Sequence, residues 1–270
     1  MNFEDVKRRG LVMLGCGKMG SAMLQGWLGR GVPPSAVHVI DPYPSEWLKA
    51  QGVQINASLP DDAAVILVAV KPQMMADALP QIAHYGGGGS LVISVAAGTP
   101  ISFFEDNLGG QTRVIRSMPN TPAAIGKGIT AIIGNAVTQD GDLDLASSLL
   151  EAIGQVVRLE NEDQIDAVTA VSGSGPAYVF NMIEALAAAG RAEGLSEGLA
   201  MTLAKATVAG AGALAEQSDD TPEQLRINVT SPNGTTQAGL EVLMDDKEGL
   251  GPLIRKTVAA AADRSRALKG

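Results

Sequence analysis

Residues 11–20 read LVMLGCGKMG, an apolar run that leads directly into the glycine pattern Gly15-x-Gly17-x-x-Gly20. A helix-like pattern follows, and this order of strand, glycines and helix is typical of a dinucleotide-binding turn. Gly15 permits the tight turn, Gly17 lets the backbone approach a pyrophosphate, and Gly20 lets the helix pack closely on the strand. The alternative, a plain glycine-rich turn, explains none of the flanking pattern.

A second predicted strand strengthens this interpretation. Residues 37–40 read VHVI, and Asp41 follows 21 residues after Gly20. An acidic residue at about this distance from the glycines accepts hydrogen bonds from a ribose in dinucleotide-binding folds. We therefore expect Asp41 to be a ribose ligand.

Length and composition favour a folded globular chain. It has 270 residues, of which 46% are hydrophobic and 18% charged, enough for a sizeable core and two domains. The net charge is −9 and the only basic run is Lys7-Arg8-Arg9, so we expect no nucleic-acid partner. The N-terminal residues contain no apolar signal segment, and charged residues interrupt the Ala-rich stretches after residue 164, so we expect no membrane span.

The cysteine content points to a reducing compartment. Cys16 is the single cysteine, so no internal disulfide can form, and we expect a cytoplasmic protein. Cys16 could be a reactive thiol, but a small residue that fills the tight glycine turn fits its surroundings in the sequence better.

The first part of the chain alternates apolar runs with helical patterns. Strands are predicted around residues 64–70 (AVILVAV), 90–97 (SLVISVAA) and 112–118 (TRVIRSM). Such alternation is typical of a doubly wound α/β fold with a mainly parallel sheet. We expect a Rossmann-type dinucleotide-binding domain over residues 1–160.

The second part, residues 161–270, is predicted to be an all-helical domain. Residues 181–190 and 200–216 are apolar on nearly every helical face and rich in small residues. Helices of this kind need partners on all sides, so an intertwined homodimer is expected. A self-contained helical bundle is the alternative.

Loops that follow the predicted strands should flank the dinucleotide, because ligands bind outside the carboxyl ends of such strands. One further loop, residues 118–122 (MPNTP), carries paired prolines and could equally be a purely structural turn. Besides the glycines and Asp41, the predicted cofactor-contacting residues are Lys18, Met19, Ala69, Val70, Lys71, Pro72, Ala96, Ala97 and Asn120.

Two segments of the second part combine glycines with hydroxyls at predicted helix starts: residues 171–177 (VSGSGPA) and 228–236 (NVTSPNGTT). Free N–H groups and hydroxyls there could hold a carboxylate without Lys or Arg. The alternative is ordinary helix capping, which needs only one hydroxyl in each segment. The predicted substrate-binding residues are Ser172, Gly173, Ser174, Gly175, Asn228, Ser231, Gly234 and Thr235.

No metal site is expected, because neither histidine, His38 nor His84, accompanies a ligand set. The dinucleotide is therefore expected to carry out the chemical step, with the protein supplying orientation and a hydrogen-bond donor.

Six motifs in this order resemble the pyrroline-5-carboxylate reductase family: GCGKMG, AVKP, SVAAG, MPNTPA, SGSGPAY and VTSPNGTT. The resemblance covers residues 11 to about 243 and is most specific in the last two motifs. It implies an interlocked helical dimerisation domain, sometimes larger assemblies of dimers, and reduction of the ring imine of 1-pyrroline-5-carboxylate, a cyclic imino acid, to L-proline by NADPH or NADH. It also implies that Thr236 is the hydrogen-bond donor to the imine nitrogen, with the substrate carboxylate held by Ser231, Gly234 and Thr235.

The chain departs from the family at the end of the second strand. Many members that prefer NADPH carry Ser, Asn or Arg there, whereas this chain has Asp41-Pro42-Tyr43 and no nearby Arg. An acid repels a 2′-phosphate, so we expect NADH to be used at least as well as NADPH.

Two rival functions are compatible with the layout of the chain. A β-hydroxyacid-type dehydrogenase shares the layout but needs a catalytic lysine early in the helical domain, and residues 128–204 contain no lysine. A non-catalytic dinucleotide-sensing protein would keep the glycines but has no need of the hydroxyl-rich segment 228–236.

Overall fold

The computed structural model describes residues 4–268 and divides into two compact units. Within the described residues, the first comprises residues 4–173 and 262–268, and the second comprises residues 174–261. We call them the Rossmann unit and the helical unit. The division falls after Gly173, whereas the sequence pattern placed the domain boundary at residue 160.

A single eight-stranded sheet forms the centre of the Rossmann unit, in the order β3-β2-β1-β4-β5-β6-β7-β8. Strand β7 runs antiparallel to β6, and the other neighbours are parallel. The predicted α/β class with a mainly parallel sheet is thus confirmed. The strands are β1 (Leu11–Leu14), β2 (Val37–Ile40), β3 (Gln54–Ile55), β4 (Val65–Val68), β5 (Leu91–Ser94), β6 (Arg113–Met118), β7 (Gly128–Gly134) and β8 (Gly154–Arg158).

The central strands are buried on both faces, which explains why they are apolar throughout. Along β1, Met13 packs into the buried cluster on one face of the sheet, while Val12 and Leu14 pack into the cluster on the other. The same alternation holds in β4, where Leu67 follows Ile66. Each such side chain contributes about 1.5–3 kcal/mol on burial, so these strands form the core of the unit.

Helices cover both faces of this sheet. Among them α2 carries the buried Trp27, whose Nε1 donates a hydrogen bond to the carbonyl oxygen of Leu149 at 2.8 Å. The α-helices are α1 (Glu4–Arg9), α2 (Lys18–Gly29), α3 (Glu46–Lys49), α4 (Met75–Ala78), α5 (Ile101–Leu108), α6 (Asp140–Leu150) and α7 (Gln164–Val168). Short 3₁₀ turns span Pro34–Ala36, Pro72–Met74, Leu79–Tyr85, Thr121–Ile125 and Glu151–Ile153, and Thr169–Gly173 is a π-helical turn.

Long α-helices make up the helical unit: α8 (Gly175–Ala192), α9 (Glu197–Gln217), α10 (Pro222–Asn228), α11 (Thr235–Leu243) and α12 (Leu250–Ala267). Small residues form the contact between α8 and α9, where Ala187, Ala200 and Ala204 are buried. From Ala262 onward, α12 belongs to the Rossmann unit. There the Ser265 hydroxyl donates a hydrogen bond to Oδ1 of Asp166 at 2.8 Å.

Helix α9 is long and apolar enough to cross a membrane, and in residues 4–268 no other helix is. In the most apolar 18-residue stretch of this helix, only 11% is buried by the rest of the protein. The sequence predicts no span, because Lys205 interrupts this stretch. A single helix of this composition is also what a helix–helix interface requires, so this finding alone does not indicate a membrane protein.

Candidate active site

A cleft of about 630 Å³ lies where β1, β2 and β4 end. Seven of the predicted cofactor-contacting residues line it: Gly15, Gly17, Lys18, Asp41, Ala69, Val70 and Lys71. The carboxyl ends of parallel strands are where dinucleotides bind in doubly wound folds. The fold therefore brings the glycine motif, the acid and the loop after β4 together.

The glycine motif has the shape that a dinucleotide needs. Gly15 has φ +87°, and a Cβ there would lie 2.9 Å from Cγ1 of Val70. A Cβ at Gly20 would lie 3.0 Å from the carbonyl oxygen of Gly15, whereas at Gly17 nothing lies within 4 Å. The turn is thus closed toward the protein and open at Gly17, beside the N-terminus of α2, so the residues present fit a bound pyrophosphate.

The Asp41 carboxylate is held by the backbone around it. Its Oδ2 accepts a hydrogen bond from the N–H of Cys16 at 2.8 Å, and its Oδ1 accepts one from the N–H of Tyr43 at 2.8 Å. The first bond joins the end of β2 to the glycine turn, and the second closes an Asx turn. Asp41 is therefore fixed on the wall of the cleft.

Asn56 supports this arrangement and was not identified from the sequence. Its Oδ1 accepts a hydrogen bond from the N–H of Asp41 at 3.0 Å, and its Nδ2 donates one to the carbonyl oxygen of Asp41 at 2.8 Å. Asn56 itself has φ +50°, a left-handed conformation. The sequence showed it only as part of an Asn-x-Ser triplet, since its partner lies 15 residues earlier.

The rim of the cleft contains residues that sequence reasoning did not select. They are Cys16, Ser21, Pro42, Tyr43, Ser45, Trp47 and Met74. Tyr43 is 86% exposed, which leaves its ring open to contact a flat ligand group. Cys16 is buried beside Ser21, and burial raises the pKa of its thiol, as expected for a residue that fills the turn rather than reacts.

The other predicted cofactor residues do not line this cleft. Met19 packs against the core, Gly20 and Ala96 are buried, and Pro72 and Ala97 are exposed outside it. The side-chain amide of Asn120 has local partners instead. Its Nδ2 donates to the carbonyl oxygen of Ser172 at 3.2 Å, and its Oδ1 accepts from the N–H of Ile129 at 3.0 Å.

In the helical unit, the segment 228–236 forms a tight turn that leads into α11. The N–H of Gly234 donates to the carbonyl oxygen of Ser231 at 3.0 Å, and Asn233 adopts φ +57°. Helix α11 begins at Thr235, and no side chain caps it. Capping therefore does not explain the hydroxyls of this segment.

Three hydroxyls remain available at this turn. Ser231, Thr235 and Thr236 are exposed, and within residues 4–268 their side chains make no hydrogen bond. Two other predicted groups are already used, because the N–H of Gly234 closes the turn and the Asn228 amide bonds Gln224 and Asp220. The donors of both groups thus have partners within the chain, and their expected roles in binding a carboxylate stay predictions.

The segment 171–177 leads into a helix, as the sequence predicted. Thr169–Gly173 is a π-helical turn, and α8 follows from Gly175 with no side-chain cap at Ser174. The Ser172 hydroxyl donates to the carbonyl oxygen of Val168 at 3.1 Å. The Ser172 hydroxyl thus donates within its own helical turn, as hydroxyls inside helices commonly do.

Comparison with known proteins gives the family. A family model described as pyrroline-5-carboxylate reductase dimerisation matches residues 162–268, and one described as NADP oxidoreductase, coenzyme F420-dependent, matches residues 11–98. A pyrroline-5-carboxylate reductase of Pseudomonas aeruginosa is 37% identical over 264 residues, which cover 96% of each chain.

Two solved structures are similar over nearly the whole chain. The pyrroline-5-carboxylate reductase of Coxiella burnetii has a TM-score of 0.91 at 32% identity, covering 97% of this chain and 99% of that one. The Plasmodium falciparum pyrroline carboxylate reductase, solved with NADP bound, has a TM-score of 0.83 at 28% identity, covering 98% and 99%. With the dinucleotide cleft and the hydroxyl-rich turn in place, this chain belongs to the pyrroline-5-carboxylate reductase family.

Proposed function

We propose that Thr236 donates the hydrogen bond that activates the ring nitrogen when this chain reduces 1-pyrroline-5-carboxylate to L-proline. The chain is an NAD(P)-dependent oxidoreductase that acts on a C=N bond, as its relatives are. The dinucleotide, when bound, supplies the hydride. The observation that carries the role of Thr236 is its exposed hydroxyl at the start of α11, which has no partner within the described chain.

The reaction needs a hydrogen-bond donor at the nitrogen. The imine carbon gains hydride while the nitrogen gains a proton, so negative charge develops on nitrogen unless a donor or a proton is present. Thr236 can supply that hydrogen bond, with the proton replaced from solvent. Ser172 is less suited to the role, because its hydroxyl already donates to Val168.

We also propose that the substrate carboxylate binds at the same turn. The hydroxyls of Ser231 and Thr235 are exposed, and the first N–H groups of α11 have no acceptor within the helix. These groups attract an anion together with the helix dipole. An anionic substrate can therefore be held by a chain of net charge −9 without a lysine or arginine in this segment.

The dimerisation domain makes the chain a homodimer that acts on a small molecule. We further propose that dimers assemble into larger particles and that the protein is cytoplasmic. We also propose that it has no nucleic-acid or membrane partner. The acidic charge supports the absence of a nucleic-acid partner, and the single buried cysteine supports the cytoplasmic location. The larger assemblies rest on the resemblance to the family.

The test is turnover of 1-pyrroline-5-carboxylate, followed by loss of NADH or NADPH absorbance. We expect Thr236→Ala to lower kcat/KM about 10²-fold or more, the low end for a lost general-acid contact. Thr236→Ser should retain most activity because it keeps the hydroxyl. Dinucleotide binding should be unchanged in both variants.

Thr202→Ala is the matched control. The Thr202 hydroxyl donates to the carbonyl oxygen of Gly198 within α9, so its loss should leave turnover unchanged. Full activity in Thr236→Ala would move the donor role to water or to another hydroxyl. A wild-type chain that binds dinucleotide but does not turn over the imine would contradict the function itself.

A further inference from the structure

The wall of the cofactor cleft at the end of β2 is a preset carboxylate. The two oxygens of Asp41 accept backbone N–H groups from Cys16 and Tyr43, which orient the carboxylate before any ligand arrives. An ionised carboxylate offers about four lone-pair positions, so roughly two remain to accept hydrogen bonds. Ribose hydroxyls are donors of the kind that fits these positions.

The main chain of Asp41 is fixed as well. The Asn56 amide pairs with both the N–H and the carbonyl oxygen of Asp41, so β2 ends at one defined position. Asn56 is held in the left-handed conformation, at φ +50°, to do so. Asn adopts this conformation more readily than other non-glycine residues, so Asn suits this position better than most residues with a side chain.

No arginine lines the described part of the cleft, and no lysine or arginine side chain pairs with Asp41 within residues 4–268. The lysines of the cleft, Lys18 and Lys71, follow β1 and β4, while the residues after Asp41 are Pro42 and Tyr43. A 2′-phosphate on the ribose would meet a fixed negative charge without the arginine that commonly accommodates it.

We propose that Asp41 makes this chain select NADH over NADPH, and that Asn56 is the positioning residue for that choice. The inference rests on the dinucleotide use of the proposed function and adds its cofactor preference. It separates the chain from the Plasmodium falciparum relative that was solved with NADP bound.

The test is equilibrium binding of NADH and NADPH by calorimetry, without the imine. We expect the wild-type dimer to bind NADH at least about tenfold more tightly, the factor that a modest charge repulsion gives. Asp41→Ser should bring the ratio of the two affinities, NADH over NADPH, to about one or below one. The repelling charge is lost in this variant, while a hydroxyl remains.

Asn56→Gly tests the positioning role, since Gly accepts the left-handed conformation but lacks the amide. The preference in binding affinity for NADH over NADPH should fall partway toward that of Asp41→Ser. In the turnover assay, KM for the dinucleotide should change, whereas kcat at saturating NADH should be retained. Asp106→Asn removes an exposed charge on α5, outside the cleft, and should leave the ratio unchanged.

Two outcomes would overturn the inference: equal or tighter binding of NADPH by the wild type, or an unchanged ratio in Asp41→Ser. An unchanged ratio in Asn56→Gly, with the fold intact by circular dichroism, would remove the positioning role alone. Because binding is measured without the imine, a failed reductase assay with the ratio intact would count against the proposed function and not against this inference.

Discussion

The Rossmann unit and the helical unit use apolar residues in opposite ways. In the Rossmann unit, central strands such as β1 and β4 are fully buried within the unit itself. In the described part of the helical unit, the buried apolar residues are three alanines, while Phe180 and Leu203 are 58% and 47% exposed. One region encodes its own core, whereas the other encodes a surface for a second copy of the chain.

The residue types match these two tasks. β-branched residues fill the strands of the Rossmann unit, and alanine and glycine dominate α8 and α9. Small residues let helix backbones approach closely, and the large apolar side chains between them are left for the partner. We therefore expect substitutions in the two units to differ in how they respond to protein concentration.

The largest effect is expected for Leu203→Glu, which places a charge on the exposed apolar face of α9. An unpaired charge buried at an interface costs at least about 3 kcal/mol for each copy. For a symmetric pair this is about 10⁴-fold in the dimer dissociation constant. Light scattering after size-exclusion chromatography should show monomer where the wild type is a dimer.

Val157→Asp on the edge strand β8 is the control, because Val157 is an apolar residue of the Rossmann unit and is 41% exposed. It should leave the mass of the particle unchanged. A dimer that survives Leu203→Glu would mean that this face of α9 is not the interface.

Phe104→Ala should destabilise the Rossmann unit by about 3–5 kcal/mol, since Phe104 is fully buried and a large cavity would remain. Its ring also packs edge-on against Phe103, with centroids 5.7 Å apart. Denaturant unfolding should show the same loss at low and high protein concentration. A loss that grows on dilution would contradict a self-sufficient core.

A smaller and pH-dependent effect is expected at Tyr85. Burial, with a smaller contribution from the charge of Asp61, raises its pKa from 10 to about 12, and its hydroxyl donates to the carbonyl oxygen of Pro60 at 2.5 Å. The unfolded chain releases this proton at lower pH than the folded one. The contribution of the protonated Tyr85 hydroxyl to the free energy of unfolding is therefore complete below pH 10 and is lost as the pH rises through 12.

Comparing the free energy of unfolding of the wild type and Tyr85→Phe between pH 9 and pH 12 tests this expectation. The variant should lose less stability over that interval, because phenylalanine has no proton to release. Parallel curves would show that the Tyr85 hydroxyl does not contribute to the alkaline loss.

The strands that are continuous apolar runs could be predicted from the sequence, and β1, β2, β4, β5 and β6 lie where the pattern placed them. The apolar pattern does not predict β3, β7 or β8. Strand β3 has two residues, and β7 begins and ends with glycine, the residue that usually indicates a turn. Strand β8 is mostly exposed and lacks the apolar run of a central strand.

The roles of side-chain amides are difficult to predict from the sequence. Asn120 and Asn228 are predicted to contact ligands, and in the structure both amides also have partners inside the chain. Asn56 was overlooked although it fixes Asp41. An amide can serve either purpose, and which one it serves depends on long-range neighbours that spacing along the chain does not reveal. The glycine motif was predictable because its chemistry is local.

The return of the chain to the Rossmann unit has a consequence for its synthesis. Residues 262–268, which include the Ser265 that bonds Asp166, emerge from the ribosome after the whole helical unit has been made. A nascent chain therefore exposes the apolar faces of α8 and α9 while the Rossmann unit still lacks this segment. The Rossmann unit is thus completed only after the helical unit has been synthesised.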